Sequence, residues 1–175
     1  MSQLNSIQNS EAKSNQLPAG SNVSNAELEL GCINLISQLE MQVDSARSSN
    51  NHIENAGANT DKLLTVLLDF CEEYLDESVT DGPVKQIQKA SFSSLAHKEV
   101  LGSLGWGFAI SNLFGKSAGT DARVKETYTK LGDDLLRACV AVLQQAVVAV
   151  GADSPTGKII EQSTAVFVEE FKASW

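Results

Sequence analysis

The sequence predicts an all-α domain. Three observations carry that reading: apolar residues recur at helical spacing in five long stretches, no stretch alternates apolar and polar residues as a half-buried strand would, and Gly, Pro or capping residues fall between the stretches. The chain has 175 residues and 42% hydrophobic content. That suffices for one domain with a real core and is too little for two ordinary ones.

The first 24 residues are rich in Ser, Asn and Gln and broken by Pro18 and Gly20, so 1–24 reads as a polar N-terminal arm. Leu4–Lys13 allows a short helix within it. Residues 25–175 form the predicted domain. Ser24 and Glu27 have the form of a capping box, and behind them Leu28, Cys32, Leu35, Ile36, Leu39 and Val43 share one helical face. The next stretch, SSNNHIENAGANTD, is poor in apolar residues and predicts a turn at Gly57, with Asn59, Thr60 or Asp61 capping a second helix. Leu63, Leu64, Leu67, Leu68, Cys71, Tyr74 and Leu75 give that helix its apolar face. A third helix is predicted from Pro83 to about Phe114, with Val100, Leu101, Leu104 and Phe108 on one stripe and Trp106, Ile110 and Leu113 on another. Two apolar sides make it the predicted central helix. Gly102, Gly105 and Gly107 point to a close neighbour at its backbone, either a crossing helix or a flat ligand. Gly115–Thr120 reads as a turn and Asp121 as the next cap. Leu135, Leu136, Cys139, Val140, Leu143 and Val147 then carry a strongly hydrophobic helix to Val150, and Ile160, Val166, Phe167 and Phe171 carry a last one towards Trp175.

Charge and motifs exclude several functions. A net charge of −9 repels nucleic-acid phosphates and anionic membranes, so neither is expected as a partner. No apolar run reaches the ~20 residues of a membrane span and the first residues lack a signal-peptide core, which predicts a cytoplasmic protein. Cys32, Cys71 and Cys139 lie apart among apolar residues, without CxxC spacing, and are assigned to core packing rather than to a disulfide or a zinc site. GxSxG, a Gly-rich phosphate loop and HExxH are missing, and the acidic residues read as solvent-facing charge, with Glu72-Glu73 and Asp133-Asp134 pointing apart on their helices. The chain is not expected to be an enzyme.

Residues 106–132, WGFAISNLFGKSAGTDARVKETYTKLG, resemble the phycobiliprotein family, in which a central helix ends in a small-residue turn and the next opens with a similar Lys-Glu-Thr-Tyr segment. AELELGCINLISQLEMQ, VAVLQQAVVAVGAD and VFVEEFKAS resemble that family's first and last core helices. The resemblance implies a globin-like fold. It also implies where the chain departs from the pattern: the position of the bilin-anchoring cysteine holds His97, the acidic brace of the pyrrole nitrogens falls at Val100, and the neighbouring basic position at Glu99. No thioether can form at His97. The groups left to contact a bilin non-covalently are His97, Lys98 and Lys89, the lysines as propionate partners, with Trp106 and Tyr128 as stacking platforms.

The function this implies is non-catalytic: a relative of the bilin-biosynthesis-associated globins that acts in bilin metabolism by protein association or transient tetrapyrrole binding. Its partners would be a second copy in a homodimer, a related globin subunit, or bilin-making and bilin-handling proteins. Two alternatives are a structural subunit of a phycobilisome-type light-harvesting assembly and a globin-fold sensor. LAHKEVLGSLGW also resembles a globin distal helix, but from Ser117 to Glu126 no His, Met, Cys or Tyr stands ready as proximal haem ligand, and His52 lies in the polar stretch before the second helix. Val124, Tyr128, Leu131, Gly132 and Asp133 have the spacing of a groove-binding pro-apoptotic helix, yet in so hydrophobic a segment they are assigned to the core.

Overall fold

The computed structural model describes residues 24–48, 52–103 and 122–175. They form helices α1 (Asn25–Ser48), α2 (His52–Tyr74), α3 (Asp81–Ser103), α4 (Ala122–Val150) and α5 (Pro155–Ser174), with a 3-10 turn at Glu77–Val79 between α2 and α3. Among the described residues there is no strand.

α1 starts where its cap predicts. The Ser24 hydroxyl accepts the Glu27 amide at 3.2 Å, and the Leu28 amide donates to the Ser24 carbonyl at 3.0 Å. A cap of this kind stabilises a helix by about 1 kcal/mol. Leu28, Cys32, Leu35, Ile36, Leu39 and Val43 are all buried.

α2 begins earlier than the sequence predicts. It opens at His52 and runs without interruption through Gly57 and Asn59-Thr60-Asp61, where composition favours a turn and a cap. The reason is tertiary: Ala56, Gly57 and Thr60 are buried, the Lys98 side chain lies where a Cβ on Gly57 would be, and the Gly57 carbonyl accepts from the Ser94 hydroxyl at 3.2 Å. Gly57 is a contact with α3, and His52 is a helix residue rather than part of a linker.

α3 carries Pro83 in its first turn, as predicted. Its buried face, Pro83, Ile87, Ala90, Ser93, Ser94 and His97, is small and largely polar. Small side chains allow the close approach to α4, the most extensive helix contact among the described residues. The rest of the predicted helix to Phe114, including Gly105, Trp106 and Gly107, lies outside the described residues, as do the Gly115–Thr120 turn and the Asp121 cap. Gly102 is exposed, with open space where a Cβ would stand, so the neighbour expected there is not present among the described residues.

Among the described residues the central helix is α4; the apolar stripes that predict a central α3 fall mostly at 104–113, outside them. α4 packs against each of the other four described helices, and Val124, Leu131, Leu135, Ala138, Cys139, Val142, Leu143 and Ala146 have no exposed surface. Val124, Tyr128 and Leu131 thus face the core, as assigned. α4 ends at Gly151, whose φ of +96° is open to glycine and strained for other residues. Ser154 then caps α5 by accepting the Gly157 amide at 2.9 Å while its hydroxyl donates to the Gly151 carbonyl at 2.6 Å. In α5, Ile160, Phe167 and Phe171 are buried, whereas Val166 is 53% exposed against its predicted place on the core face.

α5 returns alongside α1 and runs parallel to it. Thr156 hydrogen-bonds the Glu29 carboxylate at one end, and Phe171 shares a crevice with Val43 at the other. The helices thus close a ring in the order α1, α2, α3, α4, α5, with α4 leaning inward against all the others.

The α4–α5 turn is tight enough to test. A Cβ on Gly157 would collide with the Gly151 carbonyl oxygen, a backbone atom that cannot swing aside, whereas one on Gly82 meets nothing. Gly157→Ala is expected to destabilise the fold by about 1–3 kcal/mol in urea denaturation. Gly82→Ala should leave stability unchanged or raise it by up to about 1 kcal/mol.

Candidate functional site

The site singled out by sequence centres on His97, which sits in the second half of α3 with no exposed surface. Its Nε2–H donates to the Ile53 carbonyl of α2 at 2.7 Å. Nδ1 lies 3.5 Å from the Thr127 hydroxyl of α4, which is itself 3.0 Å from the Arg123 carbonyl and 3.1 Å from that of Val124. One imidazole thus spans three helices. Burial lowers its proton affinity, and the Ile53 carbonyl opposes that shift only in part, so the ring is held below its ordinary pKa.

Tyr128 is its aromatic neighbour, with ring centroids 6.0 Å apart. The Tyr128 hydroxyl donates to the backbone oxygen of Trp175 at 3.2 Å, and the Trp175 indole N–H returns a bond to the Tyr128 carbonyl at 3.0 Å. The two rings stack at 4.8 Å and 11°. Trp175 also stacks on Phe171 at 5.2 Å, and the Cβ missing from Gly132 is what makes room for the indole. Burial pushes the Tyr128 phenol up to about 12.

The remaining candidates are not gathered around these two. Lys98 forms an ion pair with Asp61. Both partners are nearly half exposed, a setting in which such pairs contribute at most about 1 kcal/mol. Lys89 is exposed and stands about 180° around α3 from Lys98. Trp106 lies outside the described residues. His97 and Tyr128 are therefore together, Lys98 follows His97 but turns towards Asp61, and Lys89 is on another face. Trp175, the partner of Tyr128, does not stand out in the sequence. Its signal is the i,i+4 pair Phe171 and Trp175 together with Gly132, one turn beyond Tyr128.

Two described acidic residues depart from the solvent-facing charge expected of them: Asp76, 8% exposed, which caps the 3-10 turn by accepting the Ser78 amide at 2.7 Å, and Asp134 on α4. Asp134 is only 6% exposed, accepts from the Ser93 hydroxyl at 2.5 Å and lies 3.4 Å from the Lys130 ammonium. It ties α4 to α3. The three cysteines are buried and free, as assigned, and burial raises the thiols of Cys32 and Cys139 to about 12 and of Cys71 to about 11. Thiols so withdrawn from ionisation are poor nucleophiles. Among the described residues no group of three or more His, Cys, Asp or Glu is placed to hold a metal ion.

Two surface depressions among the described residues lie away from this site. One runs along α4 between Lys125, Lys130, Asp133 and Arg137, another separates α1 from α5, and neither His97 nor Tyr128 lines either of them. The class these features define is an all-helical domain in which no described helix is long and apolar enough to cross a membrane. Comparisons with protein-family models, curated proteins and solved structures returned no match.

The site makes two measurable demands. The folded state favours neutral His97, so the stability it contributes is fully present above the ordinary value of 6.5 and is lost as pH falls through 6.5 towards the lower folded value. Urea denaturation at mildly acidic pH should show a loss relative to pH above about 7, and His97→Gln, which keeps an N–H for Ile53, should flatten that dependence. Thiol titration of the native chain should find Cys32, Cys71 and Cys139 slow to react, and all three should react at once after denaturation.

Proposed function

We propose that the chain is a non-catalytic, globin-like protein of the phycobiliprotein type that carries no covalent bilin and acts in bilin metabolism through protein association, with only transient tetrapyrrole contact. The observation that carries this reading is His97. It stands where the resemblance places the anchoring thiol, and it is a neutral, buried imidazole engaged by Ile53 and Thr127. The groups that would face a pigment already have internal partners: Lys98 has Asp61 and Tyr128 has Trp175. A tetrapyrrole at this site has to exchange those contacts for its own, which limits it to weak, reversible binding. The raised thiols and the neutral, engaged imidazole also support a role without chemistry of its own.

The test is an absorption titration with biliverdin and, separately, with hemin. A weak, saturable change of the bilin band is expected, with all pigment released on denaturation and the protein mass unchanged. An acid-stable adduct, a Soret band with a defined axial-ligand signature, or no response to biliverdin at all would each overturn the bilin half of this reading.

A further inference from the structure

Between α1 and α5 lies an open groove of about 390 Å³ lined by Ile33, Ser37 and Glu40 on one side and Ile159, Ser163 and Val166 on the other. Its apolar lining is unusually wet: Ile33 is 50%, Ile159 56% and Val166 53% exposed. Leu30 and Met41, 60% and 65% exposed, extend the same surface, because Leu30, Ile33, Ser37 and Met41 fall within about 80° of one another around α1. A single exposed isoleucine needs no explanation, but five large apolar side chains along two adjacent helices form a patch of the kind that marks an interaction site.

The groove has an acidic end. Burial, then Glu170, one turn beyond Val166 on α5, then Asp44 one turn along α1, raise the Glu40 carboxyl above its ordinary value. Carboxylates held together in this way gain from an incoming cation. A second copy of the chain carries the same net charge of −9 and brings no cationic surplus to the groove. Residues 1–23 offer Glu11 and Lys13 as their only charged side chains, which cancel. Neither complements the acidic end.

We propose that this groove docks a basic amphipathic helix of another protein, its apolar side chains on Ile33, Ile159 and Val166 and its Lys or Arg residues against Glu40 and Glu170. Ile33 to Glu40 spans about 10 Å of helix, or two turns, which suits a partner with apolar anchors at i, i+3 or i+4, and i+7. The inference deepens the association half of the proposed function and holds whether or not a pigment binds.

The probe is a labelled amphipathic peptide of about four turns with that anchor spacing and lysines at one end. Its control is the same peptide with glutamates in place of the lysines, and both are titrated by fluorescence anisotropy against the full chain. The lysine peptide should bind at least about tenfold more tightly than the control and weaken in high salt. Glu40→Lys with Glu170→Lys should remove most of that preference, and Ile33→Asp or Val166→Asp, at exposed positions, should abolish binding with the circular dichroism spectrum unchanged. Equal affinity for the two peptides, or indifference to these substitutions, overturns the proposal. A self-associating chain dispersed by Ile33→Asp would assign the groove to a second copy instead, and tighter peptide binding after Leu4→Asp with Ile7→Asp would assign it to the chain's own first residues. The biliverdin titration reads none of these variants' surfaces, so failure here and failure of the pigment reading are separable.

Discussion

α4 carries Leu131, Leu135, Ala138, Cys139, Val142, Leu143 and Ala146 without any exposed surface, and a helix apolar over so wide a sector cannot be covered by one neighbour. Burying it requires helices on several sides. α1, α2, α3 and α5 all contact it, and their order around it follows from which of their own faces are apolar. Each fully buried leucine in this arrangement contributes on the order of 2 kcal/mol, so the demand of α4 outweighs any local preference in its neighbours. That is why α2 forms through a stretch whose composition favours a turn.

The α3 side of α4 is held differently. α3 has few large apolar side chains on its buried face and relies on paired polar groups: Ser93 with Asp134 on α4, and Ser94 with Gly57 and Asp61 and His97 with Ile53 on α2. Buried polar groups are costly when unpaired and nearly neutral when paired, so a slide of α3 by one turn past α2 and α4 would break several pairs together. This seam fixes register more than it adds stability. It also explains the closure around His97, which serves as a bolt between helices.

Much of the helical pattern is legible in the residues. The α1 face from Leu28 to Val43, the α1 cap at Ser24, the first turn at Pro83 and the end of α4 near Val150 follow from spacing and capping chemistry alone. What spacing misses are features decided by contacts distant in sequence. Gly57 has the composition of a turn but is a gap filled by Lys98, a helix further along the chain. Asp134 looks solvent-facing until Ser93 is placed beside it. Of the site, His97 and Tyr128 are visible in the sequence and do lie together, yet Trp175 is not, because the need for it arises only when α5 packs against Gly132. Val166 reads as core by spacing and is exposed because the groove between α1 and α5 stays open.

The parallel pairing of α1 and α5 imposes a schedule on synthesis. α1 leaves a ribosome well before its partner, because part of its covering is α5, the last helix of the five to be made. Contacts of such long sequence separation close slowly and leave their apolar partners uncovered meanwhile. α2 can shelter Leu35 early through Val66 and Phe70, whereas Ile36 waits for Ile160. A nascent chain lacking α5 therefore shows α1's inner face to the surrounding solution, and it is at this stage, rather than once α5 has packed, that the molecule has most need of a chaperone.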